Sequence, residues 1–267
     1  MTNKEFAKQM RMEIIKMLTA SGSGHPGGSL SATDILAVLY NDVMNIDTKE
    51  PRWPERDRFV LTKGHAAPAL YAALALKGFF PLADLADLRK LGSRLQGHPD
   101  MHKTPGVDMS TGSLGQGLSA ACGMALAGKL NKLDYYVYAI MGDGEQQEGQ
   151  VWEAAMFAAH YRLDNIIAFL DNNHLQIDGN IEDVLSPEPL DEKWRAFGWH
   201  VINCDGHDTD SIHGAIMQAK SLEGKPKMII AETVKGKGVS FMENQAGWHG
   251  VAPNQEQAQE AILEMEG

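Results

Sequence analysis

Residues 135–173 read YYVYAIMGDGEQQEGQVWEAAMFAAHYRLDNIIAFLDNN. The stretch opens and closes on short apolar runs rich in β-branched and aromatic residues, 135–141 and 165–170, with a helical pattern over 148–161 between them. Uninterrupted apolar strands separated by helices belong to a parallel sheet buried on both faces. The same alternation runs outward. Toward the C-terminus come a helical piece over 194–197, a strand over 200–204, a helix over 211–221 and a strand over 228–234. Toward the N-terminus come helices over 114–130 and 66–76, a strand over 58–62 and an amphipathic helix over 6–18. A Gly/Ser-rich loop over 21–29 follows that first helix, and Ser31 is expected to cap the next one, which carries Ile35, Leu36 and Leu39. Segments 41–57, 92–113 and 178–190 read as proline-interrupted loops, and 254–267 as a helix with little to pack against. With no repeat and no linker-like composition, residues 1–267 are read as a single domain of α/β class, a parallel sheet with helices on both faces.

Composition narrows the function. The net charge of -11 opposes non-specific nucleic-acid binding, although a local cluster of donors and a metal can still hold a phosphorylated ligand. No apolar run approaches the roughly 20 residues that span a bilayer, and the N-terminus has no basic segment followed by an apolar one. Cys122 and Cys204 sit in apolar contexts without metal-ligand spacing and read as buried thiols of a reducing compartment, so the expected location is cytoplasmic.

The chemistry-bearing residues fall at strand ends. Gly142, Asp143 and Gly144 follow one strand and precede a helix, where glycines admit close approach of a phosphate and helix N–H groups favour an anion. Taken alone this is also the composition of a plain turn. The following strand ends in Asp171, Asn172 and Asn173, which brings further side-chain oxygens to the same edge. Asp143 with Asn173 suits Mg²⁺ (or Ca²⁺ or Mn²⁺), whose hard coordination sphere takes one or two protein oxygens and fills the rest with phosphate, carbonyl and water.

Gly-Asp-Gly, then a helix and strand, then Asn-Asn resembles the fingerprint of thiamine-diphosphate enzymes, and GDGEQQEGQVWEA (142–154) resembles transketolase in particular. Five further segments fall in that family's order: SGHPG (23–27), DRFVLTKGH (57–65), GHP (97–99), STGSLGQG (110–117) and WHG (248–250). The resemblance implies that Asp143, Asn173 and the Leu175 carbonyl bind the metal, and that Gly142 and Gly144 meet the diphosphate. Gly112, Ser113 and Leu114 would hold the aminopyrimidine, with Ile177 against the cofactor rings. His25, His65, His98 and His249 would line the substrate channel, with His65 and His249 also touching the cofactor. Glu148 would join a buried carboxylate cluster at a subunit interface. Ser113 stands where many family members carry proline, and Glu145 and Gln146 are given no role.

The resemblance also implies what lies elsewhere. In the family, the glutamate that activates the cofactor and the arginines that grip the sugar phosphate belong to a second, pyrimidine-binding domain. This chain therefore resembles the N-terminal subunit of a split transketolase, expected to work with a C-terminal partner subunit in a two-plus-two heterotetramer. The implied reaction moves a two-carbon ketol unit from a ketose phosphate to an aldose phosphate. The alternatives are a related enzyme acting on a sulfonated or branched sugar, and a non-catalytic regulatory subunit that keeps the cofactor fold.

Overall fold

In the computed structural model, which describes residues 1–266, the chain begins with α1 (Asn3–Ser21), α2 (Pro26–Ser31) and α3 (Thr33–Val38). After β1 (Arg58–Leu61) come α4 (Ala67–Lys77), α5 (Gln116–Leu130), β2 (Val137–Gly142), α6 (Gly149–His160) and β3 (Ile166–Asn172). A small hairpin of β4 (Leu175–Gln176) and β5 (Gly179–Asn180) leads into α7 (Ile181–Leu185) and α8 (Leu190–Ala196). β6 (His200–Asp205), α9 (Thr209–Ser221), β7 (Lys227–Glu232) and α10 (Gln255–Glu266) complete the order.

Five strands form one parallel sheet in the order β1-β2-β3-β7-β6. Alternation along each central strand divides its side chains between two apolar layers. Tyr138, Ile140, Ile167 and Phe169 face the layer built by α1, α3, α4, α9 and α10. Val137, Ala139, Met141, Ile166, Ala168 and Leu170 face the layer built by α5, α6 and α8. Every residue of β3 is buried, which is why its sequence reads as one apolar run ending in polar residues. On the second face Ala121, Ala125, Ala154, Ala155 and Ala158 are buried, and their small side chains let α5 and α6 lie close to the strands.

The expected fold class is present, with four local differences. Ser31 does not cap a helix. It is the last residue of α2, one position short of the residue that precedes α3, and its hydroxyl donates 2.6 Å to the Asp171 carboxylate. The loop expected over 21–29 is already helical from Pro26, the first position of α2, where proline's fixed φ suits a helix start. The loop expected over 178–190 contains β5 and α7. The C-terminal helix does find a partner, burying Ala258 and Ala261 in the layer that α1 helps to build; Gly267, included in that expectation, lies outside the described residues.

Candidate active site

A parallel sheet gathers ligands at the carboxyl ends of its strands. Here the ends of β1, β2 and β3 open together onto a cavity of about 320 Å³, whose wall includes His25, Lys63, His65, Gly112, Leu114, Gly142, Asp143, Gly144, Glu148, Asn173, Leu175, Ile177, Lys235 and His249. Residues from segments more than 200 positions apart meet there because three adjacent strands end side by side and the segment after β7 folds back over them.

Asp143 sits at the start of the tight turn Gly144–Gln147 and is 3% exposed. Its Oδ1 accepts from the Gly144 amide at 2.7 Å and its Oδ2 from the His174 amide at 2.5 Å. Burial, reinforced by the charge of Asp171, pushes its pKa up to about 6. Asn173 is oriented by its own neighbours: its carboxamide Nδ2 donates to Asp171 at 3.4 Å, and its Oδ1 accepts from the Leu175 amide at 3.2 Å. The Leu175 carbonyl accepts from the Lys235 ammonium at 3.0 Å. One carboxylate, one carboxamide and one carbonyl therefore share one wall, a hard-oxygen set of the kind Mg²⁺ takes, and among the described residues no cationic side chain forms a salt bridge with Asp143. This donor set fits a divalent cation, and Lys63 and Lys235 beside it fit the diphosphate that such a cation bridges.

Three of the four expected histidines come together. The ring centroids of His25, His65 and His249 lie 5.2–5.5 Å apart in all three pairings. Burial is the main force keeping each of them neutral: the pKa falls to about 4 at His25 and about 3 at His249, and well below the usual value at His65. Nearby cationic charge adds to this, from Lys235 at His249 and from Lys63 at His65. Among the described residues, the buried Nδ1 of His25 has no hydrogen-bond partner, while Nδ1 of His249 accepts from Lys235 at 2.8 Å. His98 is not part of the cavity wall; a Cβ at Gly112 would fall 2.9 Å from its ring, so it backs the loop that carries Gly112. That loop also needs glycine at Gly112 itself, where φ is +150°.

Ser113, like His98, departs from its expected place, while Glu148, expected at a subunit interface, is left uncovered by this chain. Ser113 is exposed and outside the cavity wall, its carbonyl accepting from the Gln116 amide at the start of α5; Gly112 and Leu114 on either side do reach the cavity. Glu148 is exposed in this chain, at the N-terminal boundary of α6, so it belongs to no buried carboxylate cluster formed by this chain alone. Ile177 overhangs the cavity rim from the β4–β5 hairpin and is 68% exposed.

The sequence singled out neither Lys63 nor Lys235, and marked Asp171 only as one of several strand-end oxygens. Lys63 ends buried against Asp171, with a second bond of 2.8 Å to the Gly28 carbonyl. Lys63 lies inside the segment 57–65, and Lys235 stands in VKGKG (234–238), a glycine-flanked lysine just after a strand. That position after a strand was the available signal.

The family described as "Transketolase, thiamine diphosphate binding domain" matches residues 2–264. The chain belongs to the transketolase family. It is 52% identical over 271 residues to the 6-deoxy-6-sulfo-D-fructose transketolase subunit of Clostridium sp. (strain MSTE9), covering 100% of this chain and 98% of that one. It is 42% identical to one of the subunits of the apulose-4-phosphate transketolase of Phocaeicola vulgatus, covering 97% of this chain and 92% of that one. It is 46% identical to human transketolase, covering 98% of this chain but 42% of the human protein. Among solved structures, the transketolase of Leishmania mexicana superposes with a TM-score of 0.94 at 33% identity, over 100% of this chain and 41% of that one. The chain thus spans about two fifths of the single-chain transketolases and nearly all of the transketolase subunits it resembles. Its matching region is the thiamine-diphosphate-binding domain. Among the described residues no helix is long and apolar enough to cross a membrane.

Proposed function

We propose that this chain is the N-terminal subunit of a two-chain transketolase, binding Mg²⁺ and thiamine diphosphate and transferring a two-carbon ketol unit between sugar phosphates once a C-terminal partner supplies the pyrimidine-binding domain. The observation that carries the reading is the cavity at the ends of β1, β2 and β3. It sets a buried carboxylate without a cationic side-chain partner beside two lysines and three neutral histidines. The near-complete coverage of relatives that are themselves named subunits supports the two-chain arrangement.

In this reading Asp143, Asn173 and the Leu175 carbonyl hold the metal, and the Gly144 amide with Lys63 and Lys235 meets the diphosphate. Gly142 frees the backbone for that approach, Gly112 and Leu114 bed the pyrimidine, and Ile177 closes over the rings. Bound thiamine diphosphate supplies the nucleophilic carbon and the electron sink. The histidines stay neutral at physiological pH, so each can donate a hydrogen bond from one ring nitrogen and accept one at the other from a substrate hydroxyl. Among the described residues, His25 Nδ1 is buried and left without an internal partner. His98 acts by holding the Gly112 loop and through its own partly exposed ring.

The exposed position of Glu148 at the cavity mouth fits a surface that a partner covers. Met156, Phe157 and Tyr161, farther along α6 and just beyond it, are further exposed apolar side chains. Obligate interfaces usually bury more than about 2,000 Å² and resemble a cut core. The assembly would contain two copies of each chain, and the two free buried cysteines suit a cytoplasmic setting.

The test is reconstitution. The purified chain alone should bind thiamine diphosphate poorly, self-associate and show no ketol transfer. Mixed with a chain carrying the pyrimidine domain, it should form a complex of two plus two by light scattering and turn over. Turnover by the rigorously purified chain alone would overturn the two-chain reading. The higher identity to the sulfofructose-linked subunit than to human transketolase favours a second reading, in which the donor ketose carries a sulfonate at its far end. Comparing kcat/KM of the reconstituted enzyme on 6-deoxy-6-sulfofructose and on fructose 6-phosphate decides between the two.

A further inference from the structure

Glu145 is a charged residue that neither the metal set nor the histidine trio uses, yet it is 2% exposed and lies at the floor of the same cavity. Its Oε1 accepts from the Gly115 amide at 2.9 Å. Its Oε2 accepts from the Gly142 amide at 3.3 Å and lies 2.7 Å from the Thr62 hydroxyl, whose single proton is shared with the Ile140 carbonyl, also at 2.7 Å. These three partners belong to three different segments: the end of β1, the end of β2 and the turn that starts α5. Gly115 has φ +84°, a conformation that favours glycine, and α5 has no side-chain cap of its own, so the carboxylate also meets the positive end of that helix.

We infer that Glu145 is a positioning residue, clamping the Gly112–Leu114 loop to the Gly142–Gly144 turn at the separation that one molecule of thiamine diphosphate must span. The inference rests on the assignment of those two segments to the pyrimidine and the diphosphate. Its physical basis is geometric. The cofactor is gripped at two ends, and the loops at those ends share no backbone hydrogen bond of their own among the described residues. The carboxylate is the bond they have in common. The Gly115 and Gly142 amides can only donate, one to each oxygen, which a carboxylate satisfies and a carboxamide does not, because the NH₂ of a glutamine would face one of those N–H groups.

The experiment uses the reconstituted enzyme and compares wild type with Glu145→Gln and Glu145→Asp. Affinity is measured for two probes in the presence of Mg²⁺, thiamine diphosphate and inorganic pyrophosphate, which occupies the diphosphate end alone. A clamp predicts that Glu145→Gln weakens thiamine diphosphate by about tenfold or more, the effect of losing a hydrogen bond to a charged group. Pyrophosphate affinity changes less than threefold, and KM for the donor sugar at saturating cofactor is unchanged. The shorter carboxylate of Glu145→Asp should recover part of the loss. A merely structural glutamate would instead lower the melting temperature and weaken both probes alike, and that outcome overturns the inference, as does unchanged binding of both. Should the variants fail to fold, hydrogen exchange on the cofactor-free wild type decides: the Gly115 amide must be protected, and free exchange overturns the clamp. A wild-type enzyme that binds pyrophosphate but gains nothing from the thiamine part would sink the cofactor assignment itself rather than the clamp.

Discussion

Two aspartates stand at the ends of adjacent strands and live in opposite circumstances. Asp171, at the end of β3, is 0% exposed and fully satisfied: Lys63 pairs with it, Ser31 and Thr233 donate their hydroxyls, and Asn173 its amide. Against the cost of burial, the Lys63 charge and these hydrogen bonds hold its pKa below the usual value. Asp143, just past β2, is nearly as buried but has only two backbone amides, and its pKa climbs to about 6. The same residue type at the same place in the fold is an internal anchor in one strand and an unmet negative charge in the next. A buried charge without a counter-ion is costly unless a ligand brings one. On the proposed function, the difference marks Asp143 rather than Asp171 as the one that would face the cation.

The sharpest way to break this contrast is to remove each carboxylate in turn. Asp143→Ala should abolish Mg²⁺-dependent binding of thiamine diphosphate to the assembled enzyme, measured by calorimetry, and unchanged affinity would sink the metal assignment. In the cofactor-free chain Asp143→Asn should cost little, because the loss of an unfavourable buried charge offsets an NH₂ left facing one of the two backbone amides. Asp171→Asn should cost more, about 3–5 kcal/mol in denaturant unfolding, because Lys63 is left buried and unpaired. Equal destabilisation by the two substitutions would erase the distinction between them.

Next in size are the histidines. His65→Ala in the reconstituted enzyme should retain cofactor and lose about 10²–10⁴-fold in turnover, the usual contribution of a placed acid–base group. His98→Ala, outside the cavity wall, should lose less and raise the cofactor Kd instead, since its ring supports Gly112. Near wild-type kcat for His65→Ala would reclassify that residue as structural.

The pH dependence of the cofactor-free chain is a smaller effect with a definite sign. His25, His65 and His249 have folded pKa values below the unfolded 6.5, so between about pH 6.5 and 4 the unfolded chain binds more protons than the folded one, and stability falls as pH falls. Asp143 acts oppositely, its raised pKa adding stability as pH drops through about 6, and the raised Asp57 and Glu145 act with it, while His98, also lowered, joins the trio, so four groups stand against three. The melting temperature should therefore decline steadily through this window, and a flat profile would show that the trio is not buried neutral in solution. The smallest expected effect is at the rim. Ile177→Ala, at a side chain 68% exposed, should change the cofactor Kd only a few-fold.

Much of the fold was legible because β3 and its neighbours are buried on both faces, which leaves apolar runs that no other arrangement explains. The elements that were misread follow from tertiary context. Ser31 looked like a helix cap until Asp171, 140 positions away, claimed its hydroxyl. The helix α10 looked unpartnered because the layer that receives it is built by the first residues of the chain and by strands in its middle.

For the site the division is equally physical. Glycine-flanked Asp143 and Asn173 were legible as oxygens at neighbouring strand ends, whereas the histidines were singled out only by the resemblance of the loops that carry them. Sequence could not say that Asp143 lacks a cationic partner while Asp171 has one, that Lys235 reaches the Leu175 carbonyl, or that His98 stands behind Gly112 while three other histidines touch. Those facts depend on distances between segments that only the packed sheet brings within a few ångströms, and charge, burial and hydrogen bonding act at that range.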